Sequence, residues 1–169
     1  MINIALIGGA HVQDHEFFYP KYRLSEELEF KTLVATPGKE LVLTNRGSKI
    51  IPDLSIEDLN ILDFQGVVIP GGALAIEYLR QNKALINFVE NMNLAGKPIA
   101  SICQGAQILI SAKAVRGRTL SGYYSISEDI VNAGGTYLDL PAVIDKNLVT
   151  TAHYKDMGPW MKEFISLFN

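Results

Sequence analysis

Short apolar runs alternate along this chain with longer amphipathic stretches, and several of the apolar runs end at glycine or proline. Short runs of β-branched residues bounded by turn residues are typical of buried strands, whereas apolar residues recurring at helical spacing are typical of helices. The pattern predicts strands over residues 2–7, 30–35, 66–69 and 97–102. It predicts helices over residues 14–28 with Asp14 as the N-cap, 74–94 in two pieces broken near Asn82, 104–112, 125–133 and 155–168.

Two hairpins and a mostly parallel sheet follow from the same pattern. Turn residues at 45–47 and at 145–147 each separate two short apolar runs, which is typical of hairpins. The paired runs are 41–43 with 48–51, and 143–144 with 148–149. Elsewhere strands and helices alternate, and this favours an α/β fold in which helices cover both faces of a mostly parallel sheet.

The composition is that of a globular protein of ordinary size. The chain has 169 residues, which suit one domain over 1–169, and 48% of them are hydrophobic. Its net charge of −3 and the lack of a long basic run exclude a typical nucleic-acid-binding protein, which needs clustered Lys and Arg. No basic leader precedes the first strand, and no apolar run approaches the ~18 residues of a membrane span. We therefore expect a cytoplasmic protein with neither nucleic acid nor membrane as a partner.

Cys103, the only cysteine in the sequence, lies where a predicted strand meets a predicted helix. Such a turn exposes a nucleophile at the sheet edge where ligands bind in this class of fold. The small residues Gly105 and Ala106 suit a tight turn, and the helix beyond points its free N–H groups at the thiol. We therefore expect a thiol pKa well below the ordinary ~8.5. The alternative is an inert buried cysteine, because free cysteines often pack as small apolar residues.

Pro70-Gly71-Gly72 ends another predicted strand at the same edge of the sheet. Two consecutive glycines let backbone N–H groups come close to a ligand, and such groups can stabilise an oxyanion beside the thiol. The alternative is a plain glycine turn, which is the commoner use of such a pair.

Glu16 is the candidate acid or base, since a carboxyl in a crevice can share a proton with a thiol. We expect it to be the protonated partner; the alternative is a solvated helix residue.

His11 and His15 have the four-residue spacing of a metal-binding pair on a helix, but His11 precedes the predicted helix and no third ligand is evident. We therefore expect two surface histidines and no metal. His153, which follows a strand end, is a second candidate base.

Several segments resemble one protein family, and together they cover nearly the whole chain. ASICQGAQILISAKAVRGR at 100–118 resembles the nucleophile segment of the ThiJ/PfpI superfamily, in particular of its PfpI-type intracellular peptidase branch. DHEFFYPKYRL at 14–24 and VVIPGG at 67–72 resemble the segments that carry the acidic partner and the oxyanion-side turn. EDIVNAGG at 128–135 and PWMKEF at 159–164 resemble later segments of the family.

The resemblance implies a flavodoxin-like three-layer sandwich related to the class I glutamine amidotransferases, working without a cofactor. It implies that Cys103 is the nucleophile and that Glu16 is the carboxyl contacting its sulfur. The backbone at Gly72 and at Gln104 would form the oxyanion hole.

The resemblance also implies where substrate and partner copies bind. Tyr123 matches an active-site tyrosine of the branch, and we expect it to bind substrate together with Gly71 and His153. Family members commonly form dimers, and PfpI-type members form larger rings. We therefore expect a homodimer or a larger homo-oligomer.

Two departures from the family pattern shape the predicted activity. Peptidase-type members carry histidine directly after the cysteine, where this chain has Gln104, and many relatives carry arginine at the position of Ala152. Because glutamine cannot take a proton from a thiol, the sequence favours a glyoxalase- or deglycase-like enzyme acting on small carbonyl compounds or glycated adducts. One alternative is an intracellular cysteine peptidase or amidase whose base is His153 or a histidine of another subunit. The other is a non-enzymatic, redox-responsive or chaperone-like stress protein.

Overall fold

The computed structural model describes residues 1–168, which form short strands and helices in alternation. The strands are β1 (Ile2–Ile7), β2 (Phe30–Thr36), β3 (Val42–Leu43), β4 (Lys49–Ile50), β5 (Leu54–Ser55), β6 (Gly66–Ile69), β7 (Ile99–Ile102), β8 (Thr119–Leu120), β9 (Thr136–Tyr137), β10 (Val143–Asp145) and β11 (Leu148–Thr151). The helices are α1 (Asp14–Ser25), α2 (Ala73–Leu79), α3 (Lys83–Leu94), α4 (Ala106–Ser111), α5 (Ser127–Asn132) and α6 (Met157–Ser166).

A seven-stranded sheet in the order β10-β11-β7-β6-β1-β2-β5 forms the centre of the fold. Every neighbouring pair in it is parallel except β10 with β11. Leaving out the short edge strand β5, the parallel strands follow the order second, first, third, fourth, fifth, which is the flavodoxin-like doubly wound order. The predicted α/β fold with a mostly parallel sheet is therefore confirmed.

Helices cover the sheet in two groups. Helices α1 and α6 pack on each other, and α6 contacts β7 and β11, while α2, α3 and α5 each contact α4 and α3 also packs on β6. Strands β6, β7 and β11 are buried along their whole length, because helices cover them on both sides. Trp160 of α6 is fully buried, and its indole N–H donates to the Val149 carbonyl at 3.0 Å. This packing makes the three-layer sandwich that the sequence predicts.

The two predicted hairpins are confirmed as the antiparallel pairs β3–β4 and β10–β11. The break predicted near Asn82 is also confirmed, since this residue caps α3 by accepting a hydrogen bond from the Leu85 N–H at 3.1 Å. The sequence did not predict β5, β8 and β9, which have two residues each. Strands of two residues depend on pairing with the neighbouring segment, because they are too short to have a hydrophobic pattern of their own.

The prediction that Asp14 caps the first helix is wrong. Gln13 holds the N-cap position, and the Asp14 carboxylate instead accepts hydrogen bonds from Thr44 Oγ1 at 2.6 Å and from the Arg46 N–H at 3.0 Å. This ties the β3–β4 hairpin to the start of α1. Several predicted helix boundaries also move by two or three residues, because α1 ends at Ser25 and single turns of 3₁₀ helix precede α4, α5 and α6.

Parallel strands place their carboxyl ends at one edge of the sheet, so the segments that follow β1, β6, β7 and β11 meet there. The reversal of strand order lies between β1 and β6, which is where doubly wound sheets open a ligand crevice. Across residues 1–168, every helix falls short of the length and apolarity needed to cross a membrane.

Arg118 should be a main stabilising contact at the opposite end of β7. Its guanidinium is 12% exposed and donates to the Asp145 carboxylate at 3.0 Å and to the Asn147 side chain at 3.0 Å. We expect Arg118→Ala to lower the free energy of unfolding by about 2–3 kcal/mol, because partners with little access to water lose their donor. Lys113→Ala breaks the exposed pair with Glu90 and should cost less than about 0.5 kcal/mol. Urea denaturation of both variants checks this, and equal losses would contradict it.

Candidate active site

Cys103 lies at the point where β7 ends, on a single 3₁₀ turn that leads into α4. Its φ of 60° is in the left-handed region, which is uncommon for a residue with a side chain and stores strain at functional turns. Gly105 makes the turn possible, because a Cβ at this position would lie 2.7 Å from the Ile69 carbonyl oxygen. The structure thus places the thiol on a tight strand-to-helix turn at the carboxyl edge of the sheet.

Glu16 reaches the thiol from the first turn of α1 and is only 2% exposed. Its Oε2 accepts a hydrogen bond from the Gly71 N–H at 2.9 Å, and the Cys103 thiol donates to the same carboxylate. Gly71 leaves room for this contact, because a Cβ there would lie 2.6 Å from Oε2 and 2.8 Å from the Cys103 Cβ. The structure therefore brings together the two residues that the sequence proposed as the reactive pair.

Two backbone N–H groups, those of Gln104 and Gly72, lie close to the Cys103 sulfur and lower the pKa of the thiol. Gly72 has a φ of 111°, and a Cβ there would lie 2.8 Å from the His11 carbonyl oxygen, so only glycine fits. The two donors come from different strand ends and converge on one atom. Such a pair can stabilise negative charge on the sulfur or on an oxygen beside it.

Burial dominates the electrostatics of the pair. It raises the pKa of Glu16 to about 7, against the opposing effect of the Gly71 hydrogen bond. Burial, together with the charge of ionised Glu16, raises the pKa of Cys103 to about 12, and the Gln104 and Gly72 N–H groups lower it by less. The prediction of a thiol pKa below ~8.5 is therefore wrong, because desolvation and the neighbouring carboxylate outweigh the donors around the sulfur.

The thiol opens into a cleft of about 400 Å³. The sequence-predicted residues Gly72, Gln104, Tyr123 and His153 line this cleft with Cys103 and Glu16. Gly71, which the sequence also predicts to bind substrate, does not line it and instead donates its N–H to Glu16. Sequence reasoning missed Gln13, Asn45, Leu74 and Tyr154, which also line it. Asn45 comes from the β3–β4 hairpin, and no local signal links that hairpin to the cysteine. Tyr154 could have been found, since it directly follows His153.

Of the two other histidines, His11 lines the same cleft and His15 contacts a ring that lines it. His11 and His15 are both exposed, as the sequence predicts. His11 lines the cleft, and the ring of His15 stacks on that of Tyr154 with centroids 5.1 Å apart. Within residues 1–168 no group of three or more His, Cys, Asp or Glu side chains is arranged to hold a metal ion.

Comparisons with known proteins agree with this geometry. Residues 3–167 match the model of the DJ-1/PfpI family. The chain is 38% identical over 167 residues to an uncharacterised protein of Archaeoglobus fulgidus, covering 98% of each chain. It is 35% identical over 166 residues to a protein of Pyrococcus furiosus named deglycase PfpI, covering 98% of this chain and 99% of that one.

A solved structure from Anabaena variabilis has the same fold. It is a two-domain protein with a DJ-1/ThiJ/PfpI-like domain and a ferritin-like domain, and it superposes with a TM-score of 0.95 at 30% identity. The match covers 99% of this chain and 48% of that one, so the chain spans about half the length of that protein.

Replacing Glu16 should make the thiol more reactive toward a simple alkylating agent. Glu16→Gln removes the negative charge that helps burial to hold Cys103 protonated, so the thiol pKa should fall from about 12. We expect faster alkylation by iodoacetamide at pH 8, followed by mass spectrometry. Glu26→Gln changes a carboxylate that is 70% exposed and serves as the control. Unchanged or slower alkylation of Glu16→Gln would contradict the assigned contact.

The same variant should change how stability depends on pH. A carboxyl has a pKa of ~4.3 when unfolded, and burial raises that of Glu16 to about 7 in the fold. The unfolded chain therefore loses this proton first, and the folded state loses stability as the pH rises from about 4.3 to 7. Glu16→Gln should be more stable than the wild type at pH 8, by up to about 3 kcal/mol, with the difference vanishing near pH 4. Urea denaturation at both pH values measures it, and a pH-independent difference would refute it.

Proposed function

The chain belongs to the DJ-1/PfpI family, and from this membership and the Cys103 site we propose that it is a cofactor-independent cysteine deglycase. Its substrates are small α-dicarbonyl compounds and the adducts that these form with amines. The observation that carries the proposal is one buried contact set, in which the sulfur meets a carboxyl of pKa about 7 and two backbone N–H groups. The name of the Pyrococcus furiosus relative, a deglycase, supports the same activity.

Glu16 is the general base and acid of the proposed reaction. Its pKa of about 7 lets it take a proton and return it near neutral pH, which is the condition for efficient proton transfer. The thiol is protonated at rest, so it loses its proton to Glu16 as its sulfur attacks. The site thus needs no preformed thiolate.

The N–H groups of Gly72 and Gln104 supply the oxyanion hole. As the sulfur adds to an aldehyde carbon, the carbonyl oxygen becomes negative close to the sulfur that both groups contact. Glycine at position 72 is required because the chain approaches the His11 carbonyl too closely for a side chain. These donors are fixed before substrate binds, so they need no reorganisation during the reaction.

The proposed steps balance for both kinds of substrate. Addition of the sulfur gives a hemithioacetal. Glu16 moves the hydrogen of the former aldehyde carbon, as a proton, to the neighbouring carbonyl carbon, and the hydroxyl proton of the hemithioacetal passes to the oxygen of that carbonyl, which leaves a thioester. Water hydrolyses the thioester to a 2-hydroxy acid and restores the thiol. With an amine adduct, the sulfur displaces the amine at the hemiaminal carbon: the carbon–sulfur bond forms as the carbon–nitrogen bond breaks, and Glu16 passes the thiol proton to the departing amine, which gives the same hemithioacetal. Adduct and water together become amine and 2-hydroxy acid.

Peptidase activity is less well supported by the residues around the sulfur. Peptide cleavage must protonate a poor amine leaving group, and imidazole beside the sulfur usually does so. Gln104 occupies the position next to Cys103 and cannot transfer a proton. His153 lines the same cleft, so a peptidase built on this chain would have to use it.

We also propose that the chain acts as a homodimer or a larger homo-oligomer, as family membership suggests. Exposed apolar side chains beside the cleft support this, with Leu74 48% and Leu43 48% exposed. Light scattering at micromolar concentration tests it, and a monomer would refute it.

The deglycase proposal predicts that the enzyme accelerates release of the amine itself. With a methylglyoxal adduct of an N-acetylated amino acid, we expect amine and lactate to appear faster than the adduct dissociates spontaneously. Cys103→Ser and Glu16→Gln should each reduce this by at least about 10²-fold, because nucleophile or proton transfer is lost. Glu26→Gln should match the wild type.

Three results would contradict the proposal in different ways. Amine release at only the spontaneous rate, with lactate still formed, would show an enzyme that uses free dicarbonyl alone. Casein cleavage that His153→Ala abolishes would show a peptidase. Absence of both products, with Cys103 readily oxidised to a sulfinic acid, would favour the redox-responsive alternative.

A further inference from the structure

A row of five neighbouring rings, here called the aromatic wall, includes three that line the cleft. It consists of Tyr123, Tyr124, His153, Tyr154 and His15. Ring centroids are 4.1 Å apart between His153 and Tyr154, 5.1 Å between Tyr154 and His15, and 5.4 Å between Tyr123 and Tyr124. His153 joins the two parts, with its centroid 6.5 Å from that of Tyr123. The proposed reaction uses none of these rings.

The aromatic wall belongs to the same cavity as the thiol and is held in place from behind. Tyr123, His153 and Tyr154 line the cleft together with Cys103, and the Tyr123 N–H donates to the Cys103 carbonyl at 3.0 Å. The Lys155 N–H donates to His153 Nδ1 at 3.3 Å, which fixes the imidazole. Tyr154 is 42% exposed although its ring contacts those of His153 and His15, so part of it remains accessible from the cleft that it lines.

Charge around the aromatic wall limits what it can bind. Among the described residues that line the cleft, Glu16 is the only carboxyl, and it is engaged by Cys103 and Gly71. The Lys155 ammonium lies near Tyr124, Asp139 and Asp156, so acidic neighbours offset its charge. A compact, strongly hydrated ammonium therefore finds no counter-ion in the cleft. A flat guanidinium is less hydrated and stacks on aromatic faces.

We propose that the aromatic wall binds the departing amine and selects adducts of arginine over adducts of lysine, with the guanidinium stacked on Tyr154 and His153. This inference rests on the proposed deglycase function and names its preferred substrate class. The guanidinium keeps its charge in the adduct and in the released amine, so the aromatic wall holds both. Binding that is equal in substrate and transition state acts mainly on KM.

Kinetics on two matched adducts test the preference. We expect kcat/KM for the methylglyoxal adduct of N-acetylarginine to exceed that for the N-acetyllysine adduct by about fivefold or more, the size expected of one cation–π contact. Tyr154→Ala should bring this ratio close to one, through a higher KM for the arginine adduct, and Tyr154→Phe should restore it. Tyr22→Ala removes a tyrosine that is 63% exposed elsewhere on α1 and should leave the ratio unchanged. Because the ratio is taken within each variant, a general loss of activity does not affect it.

Binding of the free amines separates this inference from the function on which it rests. With Cys103→Ala, calorimetric titration should show N-acetylarginine methylamide binding about fivefold or more tighter than the lysine analogue. Adding Tyr154→Ala should remove the difference. Turnover of both adducts at equal kcat/KM would overturn the arginine preference and leave the deglycase proposal standing. Preferential binding of the arginine amide without turnover of either adduct would refute the deglycase proposal and retain the guanidinium site. Equal binding of both amines would refute the site.

Discussion

Burial of the Glu16 carboxyl against the Cys103 sulfur is the constraint that organises this end of the molecule. The carboxyl is 2% exposed and has one backbone donor, the Gly71 N–H at 2.9 Å. A buried carboxyl is costly unless it is paired or protonated, and its pKa rises to about 7 as a result. Gly71 and Gly105 both lack a Cβ, and a Cβ at either position would collide with atoms next to the pair or its turn. The fold thus gives up stability at this site to keep a proton-transferring group beside the thiol.

The same burial decides how the cysteine can react. A thiol whose pKa is raised to about 12 is mostly protonated near neutral pH, so it resists adventitious alkylation and oxidation. A carboxyl with a pKa near neutrality can remove the thiol proton at the moment of attack. In the proposed reaction, the thiol therefore loses its proton only when a carbonyl carbon is already in place beside the sulfur. The N–H groups of Gly72 and Gln104 complete this arrangement, because they contact the sulfur before substrate is present.

Reactivity and selectivity arise from different parts of the chain. The reactive pair and its donors come from α1 and from the ends of β6 and β7, where the backbone is held by the sheet. Other residues that line the cleft come from the β3–β4 hairpin and from the segments after β8 and β11, which carry Asn45, Tyr123 and His153. Such connecting segments can change with little effect on the sheet, so the chemistry and the preferred amine can vary separately.

The sequence by itself determined the layered α/β fold, both hairpins, the break at Asn82 and the placing of Cys103 on a strand-to-helix turn. These features follow from periodicity and from turn residues, which act over a few neighbouring positions. Only the tertiary structure decided the short strands β5, β8 and β9, the contact of Asp14 with Thr44, and the meeting of Asn45 and Tyr154 with the thiol. It also reversed the expected shift of the Cys103 pKa. The desolvation of a buried group depends on all the residues packed around it. Because these residues come from segments far apart in the chain, a local sequence pattern cannot predict the shift in pKa.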